Sequence, residues 1–137
     1  MDSLFEQITS VQLVDDTGAR RFVGDRPDLT DYAVVLDGCA AELRYGNQVL
    51  PLHRRTVARE LLYALAAAGG RAVSKEELVR AGWQVEYDPL RHDNTLRVSV
   101  RRLRTLLEGT ELEILTDGPD YRLQVPAGFA YLCASTR

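Results

Sequence analysis

The sequence predicts an α+β fold in which strands come first, three helices follow and a β-hairpin closes the chain. Three observations predict it. Through residue 53 apolar residues alternate with polar ones or form short β-rich runs; from 54 to 108 they recur at helical spacing; after Gly109 two short runs flank the turn-forming segment Asp117–Asp120. A chain of 137 residues, 45% hydrophobic and 27% charged, has the make-up of one ordinary globular domain. We expect a single domain over 1–137, divided into an N-terminal β-sheet (1–53), a three-helix core (54–108) and a hairpin with a last strand (109–137).

The first third reads as strand and turn. Ile8–Val14 alternates, Asp15-Asp16-Thr17-Gly18 turns, and Arg21–Val23 returns. Asp25–Asp31 is an acidic loop containing Pro27. Tyr32–Leu36 is an apolar β-rich run closed by Asp37-Gly38. Ala41–Tyr45 and Gln48–Leu52 flank Gly46-Asn47, a hairpin-like pair. An antiparallel sheet of three to five strands is the expectation.

From Arg54 the period changes. Val57, Leu61, Leu65 and Ala68 mark a first helix, stopped by Gly69-Gly70. Ser74 and Glu77 form a capping box that opens a second helix, Lys75–Trp83, with Leu78 and Trp83 expected in the core. Gln84–Leu90 is expected as a loop because Pro89 interrupts simple continuation. The third helix is expected to start near Asp93 or Asn94, either of which can cap it. Leu96, Val100, Leu103 and Leu107 form its buried stripe. Beyond Gly109, Glu113–Thr116 and Tyr121–Val125 read as paired strands, and Phe129–Cys133 as a final apolar strand.

The third helix also carries the most suggestive chemistry. Arg97, Arg101 and Arg104 share one face, with Thr95, Ser99 and Arg102 on the adjoining strip. Arginine forks onto guanine or phosphate, and small hydroxyl residues reach phosphates or base edges. An isolated basic helix is more often a solvated face; the surrounding helices and hairpin favour DNA. The net charge of −3 conceals a segregation. Residues 54–110 hold eleven bases against seven acids, whereas 1–53 and 111–137 are both net acidic.

Other chemistries find little support. The two cysteines, Cys39 and Cys133, and the two histidines, His53 and His92, are scattered, so no zinc site is expected. No phosphate loop, nucleophile elbow or metalloprotease motif occurs, and we expect no catalytic residue and no cofactor. No run approaches the roughly 20 apolar residues of a membrane span, and MDSLFEQITS lacks a signal peptide's charged and apolar regions. A cytoplasmic location is expected. Tyr32, Tyr45, Tyr63 and Trp83 are read as packing groups, since they do not cluster with the arginines.

Strands, three helices and a hairpin, in this order, make a winged helix-turn-helix. LLYALAAAGGRAVSKEELVRAGW (61–83), NTLRVSVRRLRTLL (94–107) and ILTDGPDYRL (114–123) together resemble the OmpR/PhoB-type DNA-binding output domain. The resemblance implies a four-stranded N-terminal sheet, a third helix in the DNA major groove and a β wing on the backbone or minor groove. It implies DNA-facing roles for Arg97, Ser99, Arg101, Arg102 and Arg104, with Arg102 and Arg104 matching the family's R-L-R core. Arg122 matches the arginine after the wing tyrosine. The segment Gln84–Leu90 matches the one that contacts RNA polymerase in some members.

Two features depart from the family. Asp117 and Asp120 stand near the wing tip, where a basic residue and a glycine are usual, so a weaker wing contact is expected. The 53 residues before the first helix are too few for a receiver domain, and ordinary phosphorylation control is expected to have no seat in this chain. The sequence therefore predicts a sequence-specific binder of double-stranded DNA, a transcriptional regulator acting as a homodimer on repeated half-sites. A winged helix used as a protein–protein adaptor is the alternative, favoured by the acidic wing and the negative net charge.

Overall fold

The computed structural model describes residues 8–24 and 27–136. Five strands precede the helices: β1 Ile8–Asp15, β2 Arg20–Val23, β3 Val34–Asp37, β4 Glu42–Tyr45 and β5 Gln48–Pro51. The three helices are α1 Thr56–Ala67, α2 Lys75–Trp83 and α3 Pro89–Leu106. The chain closes with β6 Glu113–Asp117, β7 Asp120–Gln124 and β8 Phe129–Thr136. The expected acidic loop is loop over 27–31, and its Asp25 lies outside the described residues.

The N-terminal sheet is present and larger than expected. Its strand order is β2-β1-β8-β3-β4-β5, so the last strand is inserted between β1 and β3. β8 runs antiparallel to β1 (Leu13 opposite Leu132) and parallel to β3 (Leu36 opposite Tyr131). The expectation of a wholly antiparallel sheet is corrected at this one pairing. β8 reaches its place only after the helices and wing have been traversed, and the direction of that return leaves no local mark in the sequence.

Alternation then sends Val14, Val34, Leu36, Leu43, Phe129 and Tyr131 toward the helices. Val11, Leu13, Ala130 and Leu132 occupy the opposite face, against Leu29 and Tyr32. The helices meet the first set with Leu61, Leu62 and Leu65 of α1, Leu78 and Val79 of α2, and Leu96, Val100 and Leu103 of α3, all nearly inaccessible. Leu107, immediately after α3, completes the expected stripe. Trp83 is only half-buried: it packs against this core from its margin rather than inside it.

The helix ends explain the boundaries. Ser74 Oγ accepts from Glu77 N at 3.1 Å, which opens α2 at the expected residue. α2 stops where Gln84 turns left-handed, φ 55°. α3 starts earlier than Asp93 or Asn94: Asp88 is its N-cap, accepting from Leu90 N at 3.1 Å, and Pro89 is its first residue. Proline lacks the N–H that the first turn leaves unpaired, so here it opens the helix instead of interrupting a segment. The loop between α2 and α3 is correspondingly reduced to residues 84–88.

Candidate nucleic-acid interface

α3 contains eighteen residues, about 27 Å at the usual helical rise. One side is held by the core residues Leu96, Val100 and Leu103, which fixes the rotation of the helix. The other side is consequently presented outward. Arg97, Arg101 and Arg102 are exposed there, and their guanidinium groups make no hydrogen bond or ion pair within 4.0 Å among the described residues. Thr95 is exposed, its hydroxyl donating to Arg91 O at 3.3 Å, and Ser99 is half-buried beside it. Five arginines and one aspartate occur within the helix, so its outward field is positive.

Arg104 behaves differently from the other arginines of this face. Its Nε donates to Ile114 O at 3.0 Å and its Nη2 to Thr116 Oγ1 at 3.1 Å, both on β6. The guanidinium carbon also stands 5.8 Å from the centre of the Tyr121 ring on β7. The expected row Arg97–Arg101–Arg104 is thus two open arginines followed by one turned onto the wing.

The wing is a two-stranded hairpin turning through Gly118-Pro119, with Asp117 opposite Asp120. Gly118 takes φ 61°, a left-handed conformation that favours glycine. Tyr121 is tied by backbone hydrogen bonds in both directions to Val73, in the α1–α2 connection, at 2.6 and 3.1 Å. The wing base is therefore anchored to the helices while its tip projects. Asp117 is exposed at that tip and Asp120 is half-buried. Arg122 stands on the same hairpin with its Nε 4.0 Å from Asp117 Oδ2, so one wing acid partly occupies the one wing arginine.

At the other end of α3, a group of contacts organises the loop over 84–88. Tyr87 donates its hydroxyl to Asp93, Lys75 of α2 lies 3.5 Å from the same carboxylate, and Asp88 N donates to His92 Nδ1 at 2.8 Å. The Tyr87 hydroxyl, with Lys75 and Arg97 adding positive charge, holds the Asp93 carboxyl below its ordinary value. The same hydrogen bond pushes the Tyr87 phenol up to about 12. Asp93, expected as a cap, instead links this loop to α2. The dipeptide Asp88-Pro89 is the sequence signal that could have located the helix start.

Among the described residues, no group of three or more His, Cys, Asp or Glu side chains could hold a metal ion. No described helix is long and apolar enough to cross a membrane. Residues 49–120, more than half of the chain and extending from β5 to the wing turn, match the family model described as "Transcriptional regulatory protein, C terminal".

Proposed function

Because the chain belongs to this family of OmpR/PhoB-type DNA-binding regulatory domains, which is not an enzymatic one, we propose that it binds specific double-stranded DNA sites through α3. In this reading the stretch 94–107 enters the major groove, with Arg97 and Arg101 at base edges and Thr95, Ser99 and Arg102 at phosphates or flanking bases. Arg122 meets the backbone from the wing. The observation that carries the reading is the set of exposed, unpartnered arginines on a helix whose opposite side is locked into the core. Their charge is free for an external anion, and their helical spacing places them along one groove.

Further parts of the proposal are a single winged-helix domain over 1–137, a cytoplasmic location, and action as a homodimer on repeated half-sites. Contact with RNA polymerase is assigned to the 84–90 segment, of which residues 84–88 form the loop. Leu90, 97% exposed, and Val85, 45% exposed, give this segment an apolar surface suited to a protein partner. The same surface, together with the acidic wing tip, favours the second reading, a protein–protein adaptor.

A selection from random duplexes, followed by salt titration of the selected site and a scrambled one, tests the proposal. Arg97→Ala or Arg101→Ala should cost ~1–3 kcal/mol on the selected site where the side chain reads a base. A phosphate contact should instead weaken both duplexes alike and lower the salt slope by about one. If the combined Ala variant at 97, 101 and 102 binds the selected site as well as the parent protein, groove insertion is wrong. Sizing the protein on one and two half-sites tests the dimer.

A further inference from the structure

We infer that Arg104 is a positioning residue, which clamps the wing onto α3 and thereby sets the spacing between the two elements that meet DNA. The inference rests on the DNA-binding reading but concerns a residue that the sequence pattern assigns to the DNA-facing row. Its geometry points elsewhere. Two donors of one planar guanidinium reach two different acceptors on β6, a main-chain carbonyl and a threonine hydroxyl, at 3.0 and 3.1 Å. The Tyr121 ring on β7 lies 5.8 Å from the guanidinium carbon. Tyr121 is in turn paired to Val73. One side chain thus joins α3 to both wing strands and, through Tyr121, to the α1–α2 connection.

Among the described residues, no other side-chain hydrogen bond joins α3 to the wing. The wing is a separate two-stranded sheet, and an isolated hairpin is marginal without packing or a further strand. Its buried apolar anchors are Ile114 and Leu123, with Tyr121 and Val125 partly buried against the same core. Nearer the tip, Thr116 is exposed, and the Arg104 bond to its hydroxyl is what connects that level of β6 to α3. The requirement is for a fork rather than for positive charge alone. Lysine keeps the charge but offers its donors from one compact ammonium, without the two separate donor atoms and the planar group that stands over Tyr121.

That difference separates positioning from a direct phosphate contact. Arg104→Lys, Arg104→Gln and Thr116→Val are compared with the parent protein, first without DNA. Amide hydrogen exchange across 113–124 should become about tenfold faster in all three, with α1 and α2 unchanged. On the selected duplex all three should bind several-fold more weakly, including the charge-preserving Arg104→Lys and the charge-neutral Thr116→Val. Parent-like wing exchange and DNA affinity in Arg104→Lys, with weak binding in Arg104→Gln, would make Arg104 a phosphate contact and overturn the inference. Loosened wing exchange with unaltered DNA affinity in all three would also overturn it. A parent protein that binds no duplex would defeat the DNA-binding reading instead, and the exchange data would still decide whether Arg104 holds the wing.

Discussion

Tyr63 shows how one atom can be out of balance in an otherwise paired interior. Its ring stacks on Tyr131 of β8 at 5.6 Å between centroids, joining α1 to the sheet. Its hydroxyl is buried there with no hydrogen-bond partner among the described residues, and burial pushes the phenol above its ordinary pKa. An unpaired buried hydroxyl costs about 1–3 kcal/mol. Tyr63→Phe keeps the stacked ring and removes the oxygen, so a urea melt should show an unchanged or higher midpoint. A drop of more than about 1 kcal/mol would show that the hydroxyl is satisfied in solution. Leu103 is the opposite case, 1% exposed and central to the α3 stripe. Leu103→Ala should destabilise by ~2–5 kcal/mol, read by the same melt, because the surrounding leucines cannot fully close the cavity.

At the scale of elements, both ends of α3 are set by polar contacts that can be titrated or substituted. Asp93 has a folded pKa below its ordinary value of 3.8, so its ionised form stabilises the α2–α3 loop above that pH. The contribution fades as pH falls through the lowered value. Asp93→Asn should loosen residues 84–88 at neutral pH, and the difference from the parent should shrink as pH falls below the ordinary carboxyl value and through the lowered one. Hydrogen exchange of that loop at several pH values checks this; a difference that persists in strong acid would assign it to packing. In the wing, Asp117 draws on Arg122 at 4.0 Å and Asp120 stands opposite it across the turn. Replacing both acids by Asn removes two negative charges while retaining turn-forming side chains. DNA binding should tighten, most at low salt and similarly on selected and random duplexes. No change at any salt concentration would place the wing tip away from DNA.

At the scale of the whole molecule, the β1–β2 hairpin is fastened to the helices. Helix α1 has no basic residue in its last turn. Arg20, 47 positions away on β2, supplies one by donating to Ala67 O, where the helix dipole favours a cation. The adjoining turn touches the helix end backbone to backbone: a Cβ on Gly18 would lie 2.6 Å from Gly69 O, and Gly18 has φ 86°. Gly18→Ala is therefore expected to lift this turn from α1 and to destabilise by more than ~1 kcal/mol. Gly70→Ala is the control, with φ 92° but nothing within 4 Å of the added carbon. Urea midpoints should place Gly18→Ala below Gly70→Ala; equal losses would reduce the Gly18 effect to backbone strain alone.

What could be read from the sequence was whatever a few neighbouring residues decide among themselves. The Ser74–Glu77 cap, the Gly118-Pro119 turn and the Leu96–Val100–Leu103–Leu107 stripe are such features, and the structure contains each one. The same stripe made the arginine face legible, because burying one side of a helix dictates which residues lie on the other. The start of α3 was also written locally, in Asp88-Pro89, but that proline admits two readings, helix interrupter or first helical residue. Tertiary structure alone decided the rest. The course of β8 between β1 and β3 and the hydrogen bond from Gly128 N to Asp16, 112 residues apart, depend on pairings that no local pattern encodes. Arg104 separates the two levels most clearly. Helical periodicity gives it the same face as Arg97 and Arg101, but its partners Ile114 and Thr116 come within reach only after the wing folds back beside the end of α3.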